Sequence, residues 1–255
     1  MESIATSSRT TGDARVAAGQ RAHIGARRLG ERSGANTLLV VVGLTREARI
    51  VRGGARVLIG GRGLGPTLAE RPAALLSFGL CGGLDPRLGV GDMVLGASVT
   101  TAGGCFAADP AWTRELAKAV PNAQLTGIAA SDEVMATPAD KAALHARTGA
   151  GAVDMESHLV AAAAARLGVP FAVLRSVSDR ADHTLSGAAQ AGFAADGRPD
   201  VAAVAMALLA RPLEFPSLIR TAVHAATAFR ALHICAAALD WHGHWHGPAP
   251  QALAA

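Results

Sequence analysis

The sequence predicts an α/β fold with a C-terminal helical extension. Three observations carry this. Short apolar runs ending at Gly or at an acid alternate with stretches of helical spacing, the pattern of buried strands joined by helices. Residues 151–183, GAVDMESHLVAAAAARLGVPFAVLRSVSDRADH, read as one strand–helix–strand unit with a carboxylate near the end of each strand. Beyond Arg211, Pro212 and Pro216 break the texture. There Leu218, Ala222, Ala225, Phe229, Leu232, Ala236 and Leu239 recur at 4-3-4-3 spacing, one apolar stripe on a helix.

Taken in order, the run LLVVV ahead of Gly43 reads as a buried first strand. Residues 57–59 form a second candidate, followed by 74–78, 93–99 and 125–130. Only about a dozen residues, 60–71, separate the second and third candidates, so a shortened or irregular connection is expected there. Thr137 is an N-cap, Pro138 suits the first helical position, Asp140 lies in the first turn and Gly149 ends the helix. Residues 153–155 read as a strand and 157–167 as an Ala-rich helix stopped by Gly168. Residues 171–177 form the last core strand and 201–209 an apolar helix.

Half of the 255 residues are apolar and 17% are charged, so the chain is globular rather than disordered. No apolar run reaches the ~18 residues of a membrane-spanning helix. The first residues lack the apolar core of a secretion signal. Cys81, Cys105 and Cys235 show no metal spacing and fit reduced thiols in the cytoplasm. Residues 1–36 hold six arginines against three acids, which is +3 of the formal +4. The basic balance therefore belongs to a flexible tail and not to a nucleic-acid surface. The expected organisation is a tail at 1–36, a main domain at 37–210, an amphipathic helical extension at 211–240 and a disordered tail at 241–255.

Glu156 and Asp179 are the two chemical candidates in the central unit. Acids at strand ends joined by one helix can face each other across a crevice at the sheet rim. Such a pair suits glycoside-type cleavage, in which one carboxyl gives a proton and another stabilises developing positive charge. The plainer alternatives are a helix-start Glu favoured by the dipole and a capping Asp.

Val153-Asp154-Met155-Glu156 and Ser178-Asp179-Arg180-Ala181-Asp182 resemble motifs of the purine nucleoside phosphorylase and methylthioadenosine nucleosidase superfamily. Upstream, LLSFGLCGGL at 75–84 and GVGDMV at 89–94 resemble that family's strand, Gly-rich turn and following strand, in the family's order. The resemblance implies a three-layer nucleoside-phosphorylase-like fold, a mixed central sheet flanked by helices. It implies that Asp179 protonates the leaving purine, that Glu156 binds the ribose hydroxyls and that Met155 packs on the sugar. An acid that donates at neutral pH is expected in an apolar setting, here the run FAVLRSV. Ser178, Gly79 and Gly82 are expected to border the substrate.

Hydrolytic members of the family activate water with a Glu after the first strand. Counting from Gly43 places it on Ala48, and Glu47, one position away, is the candidate. Phosphorolytic members bind phosphate through a Ser whose place is taken here by Leu80; Arg46 and Arg49 are the remaining candidates for that anion. Val134 stands at the base-stacking position, so adenine is expected on Val134 and Met135, with Phe78 or Phe193 as the nearest ring. No metal and no organic cofactor is implied; phosphate is the one possible co-substrate.

The segments VVVGLTREARI, LLSFGLCGGLDP and RPLEFPSLIRTAVHAATAFRAL resemble the hopanoid-associated phosphorylases. That resemblance implies removal of adenine from adenosylhopane, a substrate with a large apolar 5′ substituent. Alternatives are a methylthioadenosine or adenosylhomocysteine nucleosidase and a non-catalytic purine-nucleoside binding module. The apolar stripe at 211–240 is expected to pack on its own domain or on a partner subunit, the alternative being a lid or dock for an apolar substrate or the inner face of the membrane; self-association is implied by the family resemblance.

Overall fold

The computed structural model describes residues 37–241, except 52, 61–63, 68, 70, 192–200 and 240. The tail at 1–36, Phe193 and residues 242–255 lie outside the described residues. The elements run β1 Leu38–Val42, α1 Thr45–Ala48, β2 Arg56–Ile59, α2 Leu64–Thr67, β3 Ala74–Gly83, β4 Met93–Thr101, β5 Gly104–Ala107 and α3 Pro110–Ala119. They continue with β6 Gln124–Ala130, α4 Pro138–Thr148, β7 Ala152–Asp154, α5 Ser157–Leu167, β8 Phe171–Asp179, α6 Gly187–Ala191, α7 Val201–Ala210 and α8 Phe215–Ala238.

The sheet is mixed. Strands β2, β1, β3 and β8 run parallel to their neighbours. The direction reverses between β8 and β4 and again between β3 and β7. Because β4 also pairs with β6 and β6 with β7, the path β3–β8–β4–β6–β7 returns to β3. Those five strands form a closed circuit, and β2–β1 extends from it as an open wing.

Period-two alternation builds the layers. Leu39, Val41, Leu75, Phe171, Val173 and Val177 point to the face covered by α5. Leu38, Val40, Val42, Leu76, Phe78, Ala172 and Leu174 point to the other face, which α3 and α8 cover. Two helix layers thus sandwich the mixed sheet, as the sequence implied. Gly82 explains part of the strand pairing: a Cβ there would lie 3.2 Å from Val153 Cγ1 and 3.3 Å from Asp179 Oδ2.

Several sequence expectations need correction. The supposed Gly-rich turn is strand: β3 continues to Gly83 because β8 pairs along it and β7 pairs at Gly82 and Gly83. Strand β5 and helix α3 were not foreseen, although Asp109 caps α3 by accepting from Trp112 N at 2.8 Å and Pro110 follows it. The short connection includes the single turn α2, and Arg71 there takes φ +46°. Trp241, expected in a loose tail, is buried. Its ring meets Phe78 edge-on at 5.4 Å, and Nε1 donates to Ala236 O at 2.8 Å.

Helix α8 follows its stripe only in its C-terminal half. Ala228, Phe229, Leu232, Cys235 and Ala236 are buried, whereas Ala222 is exposed. Phe215, Ile219 and Val223 turn outward, 55%, 49% and 57% exposed. Met206, Leu209 and Leu213, earlier in the chain, are also exposed.

Candidate active site

The carboxyl ends of β1, β3 and β8, the C-terminal end of β7 and the loop after β6 open into one cavity of about 220 Å³. Glu47, Glu156, Asp179, Met155, Val134, Met135, Ser178 and Gly82 all line it. Leu44 and Leu80 add apolar surface, and Thr221, Ala225 and Phe229 of α8 form a further wall.

Glu47 sits in the single turn of α1 and folds back over its start. Its Oε2 accepts from Gly43 N and Leu44 N, each at 2.8 Å, and its Oε1 from Leu80 N at 2.8 Å. Ala48, the position first counted from Gly43, packs on the core instead. Adjacent helical residues point about 100° apart, so only one of the two can face the cavity. Burial pushes the Glu47 carboxyl up to about 7, against the opposing pull of Arg175 and the Leu80 and Leu44 N–H groups. Gly79, with φ +152°, lies behind it and not on the cavity wall; a Cβ there would lie 2.5 Å from Glu47 Oε1.

Glu156 is the residue before α5. Burial raises its carboxyl, opposed by Arg175. Arg175 is the charge that sequence reading passed over inside FAVLRSV. It is buried, with Nε 2.7 Å from Asp154 Oδ2 and Nη1 3.3 Å from Glu156 Oε2. Nη2 donates to Ser77 Oγ at 2.6 Å and Nη1 to Leu80 O at 3.2 Å. Asp154 in turn accepts from Ser157 N at 3.0 Å and from the Ser157 hydroxyl. An Arg in the middle of an apolar strand was the available signal, since a buried guanidinium requires partners.

Asp179 ends β8 and is buried. The apolar setting expected for it is absent: Lys141 Nζ, itself wholly buried, donates to Asp179 Oδ2 at 2.5 Å. The Ser178 hydroxyl lies 2.8 Å from Asp179 Oδ1 and 3.1 Å from Cys81 O. Lys141 reads in sequence as one more lysine on a helix, and nothing local marks it.

Besides Gly79, three expected residues lie elsewhere. Phe78 is fully buried against Trp241, because its place on β3 turns it to the α8 face. Arg46 and Arg49 are exposed and do not line the cavity; the Arg46 guanidinium stacks 4.1 Å above the Phe229 ring. Among the described lining residues are five carboxylates, Glu47, Glu133, Asp154, Glu156 and Asp179, and no Lys or Arg. No group of His, Cys, Asp and Glu among the described residues has the arrangement of a metal site.

A family model described as the Phosphorylase superfamily matches residues 26–210. This chain belongs to the phosphorylase superfamily. On that ground it is an enzyme of the nucleosidase/phosphorylase kind. Solved structures share the superfamily fold at low identity. A 5′-methylthioadenosine/S-adenosylhomocysteine nucleosidase from Helicobacter pylori, with a bound immucillin, is 16% identical, at TM-score 0.55 over 80% of this chain and 99% of that one. The corresponding nucleosidase from Neisseria meningitidis is 18% identical, at TM-score 0.53 over 78% and 99%. The futalosine hydrolase of Helicobacter pylori is 15% identical, at TM-score 0.53 over 78% and 97%. No curated protein sequence matches. The superfamily match ends at residue 210, so the α8 wall of the cavity lies beyond it.

Proposed function

We propose that this enzyme hydrolyses the N-glycosidic bond of an adenine nucleoside with an apolar 5′ substituent, and that the substrate is adenosylhopane. One observation carries the reading: Glu47, Glu156 and Asp179 line a single cavity that has carboxylates and apolar surface but no Lys or Arg among its described lining residues. A phosphate nucleophile would enter that site against like charge, whereas water would not. Arg175 offers phosphate no free charge, since Asp154, Glu156, Ser77 and Leu80 already occupy it.

In the reaction Asp179 gives a proton to N7 of adenine, so the base leaves neutral. Glu156 accepts hydrogen bonds from the ribose 2′- and 3′-hydroxyls, which strengthen as the sugar becomes oxocarbenium-like. Glu47 takes a proton from the attacking water as the C1′–O bond forms and the C1′–N9 bond breaks. A carboxyl held at about 7 is matched to that task near neutral pH. Met155, Val134 and Met135 supply the apolar bed for sugar and base.

The 5′ side is assigned to the wall formed by Leu44, Leu80, Ala225 and Phe229, because it joins the cavity to α8. The outward Phe215, Ile219 and Val223 of the same helix suit contact with a membrane surface on the cytoplasmic side, from which a hydrocarbon-bearing substrate would be drawn. A second copy of the chain is the alternative cover for that surface.

The test is adenine release from adenosylhopane in detergent, with and without phosphate, beside methylthioadenosine. Phosphate-independent release from adenosylhopane is expected. Cleavage of methylthioadenosine alone would reassign the enzyme to short 5′-thio substrates. Release that requires phosphate would overturn the hydrolytic step. Adenine binding with no cleavage of either nucleoside would leave only a binding module.

A further inference from the structure

A buried ammonium stands behind the acid. Lys141 lies near the start of α4, and its Nζ donates to Asp179 Oδ2 at 2.5 Å, Arg180 O at 2.7 Å and His183 O at 3.1 Å. Those are three acceptors for the three protons of an ammonium, so the charge is fully satisfied. The same three bonds tie α4 to the turn that follows β8, where His183 N also donates to Arg180 O at 3.1 Å. With Lys141 on Oδ2 and the Ser178 hydroxyl beside Oδ1, the plane of the Asp179 carboxyl is set from two sides.

Stability alone is a poor reason for this pair. Desolvating an ammonium and a carboxylate is costly, and apolar replacement of a buried ion pair is often neutral or stabilising. The charge has its effect at the one partner that faces the cavity, Asp179.

The geometry points to Lys141 as a positioning residue for the acid of the cleavage reaction, holding the Asp179 carboxyl toward the base and pairing the carboxylate that forms as its proton leaves. The inference rests on the proposed adenine cleavage. Asp179, a carboxylate paired with Lys141 in the resting site, takes up a proton from solvent before that step, and its O–H bond then breaks as N7–H forms. The electron pair of the C1′–N9 bond goes to the departing adenine. The negative charge left on Asp179 meets the Lys141 ammonium, which keeps its own three protons.

The experiment compares kcat and KM for adenine release in the wild type, Lys141→Met, Lys141→Arg, Asp179→Asn and the Asp179→Asn/Lys141→Met double variant. Circular dichroism and thermal melting monitor the fold. Lys141→Met is expected to lower kcat about 10- to 100-fold while KM moves less than about threefold. Lys141→Arg, which keeps the charge, recovers part of the loss. In the Asp179→Asn background the Lys141→Met change costs less than about twofold, because residues acting as a unit are not additive. A merely structural lysine would cost the same in both backgrounds, and that result overturns the inference. So does wild-type kcat in Lys141→Met. Should Lys141→Met fail to fold with its buried unpaired carboxylate, the double variant, which lacks that charge, still decides against Asp179→Asn. A wild type that releases no adenine overturns the inference together with the function it rests on; an active wild type with an indifferent Lys141→Met removes the inference alone.

Discussion

Glu47→Gln tests the proposed water activation most directly. The side chain keeps its size, which matters because Gly79 leaves only that volume beside it. Wild-type kcat/KM is expected to fall about tenfold per pH unit below about 7, where the Glu47 carboxyl becomes protonated and stops acting as a base. The variant should lose about 10²- to 10⁴-fold in rate and should lose that acid limb. Stability moves the other way with pH. Because the folded-state carboxyl is raised from 4.5 to about 7, its stabilising contribution is complete below 4.5 and lost as pH rises through about 7. Keeping Glu47 ionised in the folded protein costs roughly 3 kcal/mol at higher pH. Gln removes that cost. Its amide nitrogen, however, would face the Leu80 N–H in place of Oε1, at a cost of roughly 1–3 kcal/mol. The two nearly cancel, so the variant should be about as stable as wild type at pH 8 and less stable at pH 5. The assays are adenine release from pH 5 to 9 and urea unfolding at both ends of that range. A variant that keeps wild-type rate, or keeps the acid limb, would refute the argument that Glu47 is the base.

Two further outcomes follow from the same network. Gly79→Ala places a methyl about 2.5 Å from Glu47 Oε1 at φ +152°, so adenine release should drop toward the Glu47→Gln level; unchanged kcat would show that the Glu47 carboxyl need not stay where it lies. Arg175→Met leaves Asp154 and Glu156 without their shared cation. A loss of roughly 3–5 kcal/mol is expected in urea unfolding at pH 8, and a loss below about 1 kcal/mol would mean that the two acids find other partners.

Most strands and the two best-marked helices were legible because their signals are local. Thr137, Pro138 and Gly149 bound α4 where the capping pattern placed it. Helix α5 begins and ends at its expected residues. Strand β3 runs past the end its glycines suggest, since those glycines serve the close approach of β7 and β8. That approach is a property of three segments distant in the chain. The cations of the site were missed for the same reason: Arg175 and Lys141 acquire meaning only from the carboxylates folded against them.

The sequence by itself determined the α/β alternation, the family motifs and the carboxyls at the strand ends, because strand and helix periods and capping chemistry are written in neighbouring residues. Tertiary structure decided that Glu47 and not Ala48 faces the cavity, that Phe78 serves the core and that α8 forms a wall of the site. It also decided the partners of the site's acids: Asp154 and Glu156 with Arg175, Asp179 with Lys141, and Glu47 with the N–H groups of Gly43, Leu44 and Leu80. The physical reason is range. Backbone preference acts over a few residues, whereas burial and charge pairing depend on which distant segments the closed strand circuit brings together.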